Sequence, residues 1–168
     1  MQFYAITDSN GNIPRQEVIE YVNNGGVKTE YNNYTFEIDK TIHGGTSTRR
    51  PDILLDLEDR IIIIEIDEHQ HTHHGYNDLY DNNRLKEILN DVKNKNIICI
   101  RFNPDRYKIG NKRISSCWGF DKNNKMIIKE NKKIEWKNRL LELKNTFEKC
   151  VLEKIDENNK IKVIKLFY

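Results

Sequence analysis

RIIIIEID, residues 60–67, is the stretch of sequence that decides the fold of this chain. Its four consecutive isoleucines predict a β-strand buried on both faces, as strands are in the interior of an α/β sheet. A second apolar run, IICIRF at residues 97–102, predicts another strand of the same kind. Residues 78–94, between the two runs, carry apolar side chains at helical spacing. A strand, a helix and a strand in this order predict a crossover connection and a parallel pair.

The segments on either side of this unit extend the same fold. Before it, we expect a helix from near Pro14 to Gly25-Gly26, a strand over residues 34–40, and a strand over 53–57 that turns at Glu58-Asp59. After it, the sequence predicts a hairpin at 114–129, an amphipathic helix at 133–154 and a closing strand at 162–167. No repeat or linker divides the chain, so we expect a single α/β domain, residues 1–168.

The composition excludes several classes of protein. The 168 residues are 37% hydrophobic, and the apolar residues occur in runs that a disordered chain lacks. No window approaches 18 apolar residues, so no membrane-spanning helix is expected. The three cysteines are odd in number and widely spaced, which indicates a reducing compartment. The N-terminus lacks the pattern of a signal peptide, so we expect an intracellular protein, in the cytoplasm or the nucleus.

Acidic residues beside the buried strand form the candidate site. Glu65 and Asp67 are two positions apart, so both side chains leave the same face of one strand. A hairpin that turns at Glu58-Asp59 brings Asp52 back opposite the mid-sixties. Converging carboxylates repel one another unless a cation neutralises them. Asp52, Glu65 and Asp67 are therefore the predicted ligands of Mg²⁺, with Mn²⁺ as an alternative. The simpler interpretation is that acids occur here because the end of a strand meets solvent.

Histidines follow these acids directly in the sequence. A histidine can take a proton from water or give one to a leaving oxygen, so acids, a metal and His71 together suit hydrolysis of a phosphodiester. His69, His71, His73 and His74, with Glu68 among them, could instead bind zinc. No cysteine lies near them in the sequence, so zinc is the less favoured metal.

The distribution of charge is more informative than the net charge, which is only +2. Basic residues lie on both sides of the acidic segment 52–68, and a metal site between basic flanks suits a polyanion such as DNA. The predicted DNA contacts are Arg49, Arg50, Arg101, Arg106 and Lys108. Trp118 is interpreted either as a base-stacking residue or as part of the core. An ordinary scatter of surface charge is the alternative.

The motif Pro51-Asp52, an apolar hairpin and Glu65-x-Asp67 resembles the signature of the PD-(D/E)xK nuclease superfamily. The histidines at 69–71, a helix with Arg84 and a strand that ends at Arg101-Phe102 resemble its branch of very-short-patch-repair and related homing endonucleases. Similar segments occur in small nuclease-like proteins of bacteria and large DNA viruses. The resemblance covers a core of about residues 14–105.

This resemblance implies a restriction-endonuclease-like fold, a mixed central sheet flanked by helices. It implies an endonuclease that cleaves DNA with Mg²⁺. Asp52 would be the central metal ligand, Glu65 the second carboxylate, and His71 would act near the attacking water or the scissile phosphate. Arg84 has a counterpart at the site in the family and is assigned to the catalytic set. Glu17 or Glu20 could supply the acid that these enzymes often place on the first helix.

Asp67 departs from the superfamily signature, which has lysine at this position. The patch-repair-like branch also lacks that lysine and uses histidine, which favours that branch. The departure leaves a second hypothesis, a catalytically inactive nuclease fold that acts as a DNA-binding or structural protein. RNA as the substrate and a homodimer as the oligomeric state are both left open.

Overall fold

A computed structural model of the chain describes residues 13–26, 34–68, 78–92 and 95–168. The helices are α1 (Ile13–Tyr21), α2 (Asp78–Asp91) and α3 (Lys133–Leu152). The strands are β1 (Glu37–Ile38), β2 (Ile53–Asp56), β3 (Arg60–Ile66), β4 (Asn96–Phe102), β5 (Tyr107–Ile109), β6 (Lys112–Ile114), β7 (Trp118–Phe120), β8 (Met126–Ile128) and β9 (Ile161–Leu166). A π-helical turn, Val22–Gly26, continues α1, and a 3-10 turn, Glu130–Lys132, precedes α3.

Five of the strands form one mixed sheet in the order β1-β2-β3-β4-β9. Strands β1, β2 and β3 are antiparallel neighbours, whereas β3, β4 and β9 run parallel. The predicted parallel crossover is confirmed, because α2 lies between β3 and β4 in the chain and these strands pair from Arg60 to Ile66. The other four strands form two separate hairpins, β5-β6 and β7-β8.

Helices cover both faces of this sheet, as the α/β prediction requires. Ile62 and Ile64 of β3 pack in the larger core with α1, α3 and the β7-β8 hairpin. Ile61 and Ile63, which alternate with them, pack against Leu85 and Ile88 of α2 and against Val92, which follows the helix. The isoleucine run is therefore apolar at every position because β3 is buried from both sides. Within the described part of the chain, no helix combines the length and apolar character needed to cross a membrane.

Most predicted elements are confirmed to within a few residues at each end. The strand predicted over 34–40 is much shorter, because Asp39 adopts a left-handed backbone (φ 51°) and ends β1 at Ile38. The β5-β6 hairpin was not predicted, because strands of three residues are too short to show a period. Cys99 and Trp118 are buried, so Trp118 belongs to the core rather than to a base-stacking surface.

Candidate functional site

The predicted acids come together at one end of the central strands. Continuing the antiparallel register of β2 and β3 by one residue places Asp52 opposite Glu65. Asp67 follows β3 and leaves the same face as Glu65. On the neighbouring strand β4, Arg101 is the register partner of Glu65. The alternation of the strands directs these side chains to the α2 side of the sheet, just beyond the apolar contacts of Ile63 and Cys99 with α2.

Asp52 is fixed by contacts on both of its oxygens. Its Oδ1 accepts hydrogen bonds from Arg15 Nε at 3.1 Å and Arg15 Nη2 at 2.7 Å. Its Oδ2 accepts a hydrogen bond from the backbone N–H of Ile66 at 2.7 Å. The carboxylate of Asp52 is thus tied to the segment that carries Glu65, and its side chain is 17% exposed.

Glu65 has the most unusual surroundings of the three acids. Its Oε1 is buried and lies 3.0 Å from Arg84 Nη2, but the contact lacks the angle of a hydrogen bond and Oε1 has no other partner in the described residues. Burial raises the pKa of Glu65 to about 8, the charges of Asp52 and Asp67 add to this rise, and those of Arg84 and Arg101 oppose it. Glu65 is therefore largely protonated at pH 7 when no cation is present.

Asp67 is held by a buried pair with Arg101. Arg101 Nε donates to Oδ2 and Nη2 donates to Oδ1, each at 2.7 Å, which is the bidentate geometry typical of arginine and carboxylate. The hydroxyl of Tyr168 also donates to Asp67 Oδ2. Burial and the neighbouring Asp67 raise the pKa of Tyr168 well above its ordinary value, so this hydroxyl stays a donor. Asp67 thus has partners on both oxygens without a metal.

Arg84 links α2 to the segment that precedes β2. Besides its contact with Glu65, Arg84 Nη2 donates to the backbone carbonyl of Arg50 at 2.9 Å. Arg84 therefore lies beside Glu65, and its catalytic role stays a prediction. Arg15, which holds Asp52, also donates its backbone N–H to Glu68 Oε1 at 3.0 Å.

Arg15 and Tyr168 are site residues that sequence analysis missed. Neither belongs to a motif, and each reaches its partner from a distant part of the chain, so only the tertiary structure could identify them. The first helix contributes Arg15 to the site, whereas no contact in the described residues joins Glu17 or Glu20 to Asp52 or Glu65. Burial, followed by the charge of Glu20, raises the pKa of Glu17.

The predicted DNA contacts differ in how accessible they are. Arg50, Arg106 and Lys108 are exposed. Arg49 pairs with Glu87 at 2.7 Å. Arg101 is 8% exposed and faces Asp67, so in this structure its guanidinium is turned away from the surface. His71 lies outside the described residues, as do His69, His73 and His74.

The described residues contain no group of three or more histidines, cysteines, aspartates or glutamates arranged to hold a metal. The three acids of the site instead each contact an arginine: Asp52 with Arg15, Glu65 with Arg84, and Asp67 with Arg101. Asp52 and Glu65 are the two best placed to take a cation. They are cross-strand neighbours, and the buried oxygen of Glu65 lacks a hydrogen bond.

Comparison with protein-family models and with curated proteins finds no match for this chain.

Proposed function

We propose that this protein is a metal-dependent endonuclease that hydrolyses phosphodiester bonds in DNA. The observation that carries the proposal is the position of Asp52, which the continued register of β2 and β3 places opposite a buried Glu65 whose Oε1 has no hydrogen bond. The mixed sheet with helices on both faces supports the restriction-endonuclease-like fold that the PD-(D/E)xK resemblance implies. The free, buried state of all three cysteines supports an intracellular setting.

The donor atoms at the site fit a hard divalent cation. Mg²⁺ is usually bound through one or two carboxylates, with water and phosphate completing its shell. Asp52 and Glu65 supply two carboxylates on adjacent strands, and a cation would stabilise the ionised form of Glu65 that burial now disfavours. Mn²⁺ suits the same oxygen donors. Asp67 was also predicted to be a metal ligand, but we propose that it positions Arg101. Its side chain is 6% exposed, against 17% for Asp52, and Tyr168 donates to it in addition to the two bonds from Arg101.

The side chains around the acids can each serve phosphodiester hydrolysis. The cation would polarise the phosphate and lower the pKa of water near it. Asp52, held by Arg15 and the Ile66 N–H, keeps a fixed position for binding that cation. Arg84, whose side chain is 26% exposed, can place a guanidinium beside the phosphate as negative charge develops. It thereby supplies positive charge that the superfamily lysine would bring and Asp67 cannot.

His71 has the remaining role, transfer of a proton to or from the reacting oxygens. It follows Glu68 by three positions, and Glu68 contacts Arg15 at the edge of the site. His71→Gln should lower the cleavage rate on the order of 10²-fold while leaving metal affinity unchanged. Equal activity in the variant would remove His71 from the mechanism.

Plasmid cleavage is the experiment that tests the proposed function. Supercoiled and branched DNA are incubated with the protein and Mg²⁺ or Mn²⁺, with EDTA as the metal-free control. Asp52→Asn should lower the rate by about 100-fold or more, since loss of a second-shell partner alone costs about 10–100-fold. Asp56→Asn is the matched control, because Asp52 directly precedes β2 whereas Asp56 is at the far end of that strand, is exposed and pairs with Lys95.

A second candidate function is DNA binding without cleavage. It is favoured by one observation, that an arginine already contacts each acid of the site. Under this candidate the protein binds DNA, and Asp52→Asn changes nothing in the cleavage assay because no variant nicks DNA. Metal-dependent nicking that disappears in Asp52→Asn and persists in Asp56→Asn would exclude it.

A further inference from the structure

The β5-β6 hairpin carries a cluster of unpaired positive charge close to the candidate site. It starts five residues after Phe102, the last residue of β4. Residues 106–120 contain four basic side chains and no acidic one. All four are exposed: Arg106, Lys108, Lys112 and Arg113. None of them forms an ion pair with any residue in the described part of the chain.

Like charges face each other across this hairpin. Lys108 is the register partner of Arg113, so their side chains lie directly opposite on one face of the ribbon. Like charges in this position destabilise a pair of strands. An anion bound between them would relieve the repulsion, so the arrangement favours a polyanionic partner over bare solvent.

Arg139 of α3 fixes both ends of the hairpin. Its Nη1 donates to the carbonyl of Asp105 at 2.7 Å, and its Nη2 contacts the carbonyl of Ser115 at 3.4 Å. The guanidinium also lies 4.9 Å from the centre of the Tyr107 ring. Arg139 is only 2% exposed, and a buried charge is costly unless it keeps its partners. Because the partners of Arg139 include the carbonyls on both sides of the hairpin, these contacts hold the hairpin in one orientation.

A continuous set of contacts joins the hairpin to the acids of the site. The ring of Tyr107 packs edge-on against Phe167, with 5.5 Å between the centroids. Tyr168, the next residue, donates its hydroxyl to Asp67. Asn103 Nδ2 donates to the carbonyls of both Arg106 and Phe167, at 3.1 and 2.7 Å. The basic hairpin and the acidic site are therefore parts of one end of the molecule.

We propose that the β5-β6 hairpin docks on the phosphate backbone of duplex DNA next to the bond that is cut. Lys108, Lys112 and Arg113 would contact phosphates, which duplex DNA presents at about one per 1.7 Å. A two-stranded ribbon also fits the major groove, and the apolar Ile109 beside the turn is 61% exposed. The choice of DNA as the polyanion depends on the proposed function.

A binding measurement without cleavage tests this surface directly. Fluorescence anisotropy is recorded with a 20-bp duplex in EDTA at several salt concentrations. The variant Lys108→Ala/Lys112→Ala/Arg113→Ala should bind about tenfold or more weakly, and its salt dependence should fall by up to about 2.7 in slope, 0.9 per lost phosphate contact. The matched control is Lys149→Ala/Lys154→Ala/Lys160→Ala, which removes the same charge from exposed lysines around the opposite end of the sheet.

Several outcomes would overturn the hairpin proposal. The proposal fails if the two triple variants lose equal affinity for the duplex, or if the hairpin variant binds it as tightly as the wild type does. It also fails if the wild type does not bind the duplex, or binds single strands or RNA more tightly. Arg113→Ala alone provides a second variant whose folding is not at risk, because it removes the repulsion with Lys108. Hairpin-dependent binding without cleavage in Mg²⁺ would uphold the docking surface and reject the nuclease, so the two proposals fail separately.

Discussion

Glu65 carries an acidic group into a largely buried position on β3, between strands β2 and β4 and on the α2 side of the sheet. Four charged side chains act on it: Arg84, Asp52, Asp67 and Arg101. The net result is a pKa of about 8, so the metal-free folded protein holds a proton that the unfolded chain releases near pH 4.5. An acid that is costly to ionise at its own site suits a position where a cation arrives with the substrate.

Replacing Glu65 by glutamine should change how stability depends on pH. In the wild type, the contribution of Glu65 to the free energy of unfolding falls as pH rises from about 4.5 to 8, because this group binds more protons in the native state than in the unfolded state over that range. From the size of its pKa rise, Glu65 alone lowers the free energy of unfolding by roughly 3 to 5 kcal/mol over this pH range. Glu65→Gln cannot titrate, so its unfolding free energy should fall less over the same range.

Urea unfolding at pH 5, 6, 7 and 8 in EDTA measures this effect. Glu58→Gln is the control, since Glu58 is exposed in the turn between β2 and β3. Its pH profile should follow the wild type. Parallel profiles for all three proteins would show that Glu65 is ionised in the fold at pH 7 and would contradict the buried environment described for it.

The pair of Asp67 and Arg101 should matter more for stability than a surface pair. Arg101→Met leaves the carboxylate of Asp67 buried without its main partner, which typically costs about 3–5 kcal/mol. Arg49→Met removes an arginine with similar geometry, but its partner Glu87 is exposed, so little change is expected. Thermal unfolding of the two variants compares them, and equal effects would mean that Asp67 is stabilised mainly by other groups.

Among the elements, those with long apolar patterns were predictable and the short ones were not. Strands β3 and β4 follow from continuous apolar runs, and α2 and α3 from apolar residues at helical spacing. The β5-β6 hairpin has no such pattern. It is held largely by Arg139 from another element, which no local rule could indicate.

In the candidate site too, local sequence patterns predicted some residues and not others. Asp52, Glu65 and Asp67 were predictable as a group because strand alternation and a short hairpin fix their relative positions. Their partners Arg15 and Tyr168 reach Asp52 and Asp67 across 37 and 101 residues of sequence, so these contacts depend on the packing of the whole chain. The two hydrogen bonds from Arg101 to Asp67 could likewise not be predicted from the sequence.

Helix α2 is the element that holds Arg84 over the site, and Ile88 anchors it to the sheet. Ile88 is fully buried against β3 and β4. Ile88→Ala should lower the free energy of unfolding by about 2–5 kcal/mol, the cost of a buried cavity. Ile134→Ala, the same change at a residue of α3 that is 77% exposed, should stay within about 0.5 kcal/mol.

Chemical denaturation of these two variants provides the comparison. A loss of similar size in both would mean that α2 is not packed on the sheet as described. The position of Arg84 beside Glu65 would then lack its support.

At the scale of the whole molecule, distant parts of the chain meet at the carboxyl end of the parallel strands. Helix α1 brings Arg15, the hairpin of β2 and β3 brings the acids, α2 brings Arg84, and the end of the chain brings Tyr168. Ligands of open α/β sheets bind in general outside the carboxyl ends of the strands. The convergence of charged residues from so many elements on that edge supports a site rather than an incidental surface.

We propose that Asp52 and Glu65 together bind a divalent cation. Titration of the protein with Mn²⁺, followed by electron paramagnetic resonance, tests it without reference to any substrate. We expect Mn²⁺ to bind to the wild type and to Asp56→Asn, and Asp52→Asn and Glu65→Gln each to weaken this binding by about tenfold or more. Mn²⁺ binding that is absent from the wild type, or unchanged in both site variants, would contradict it.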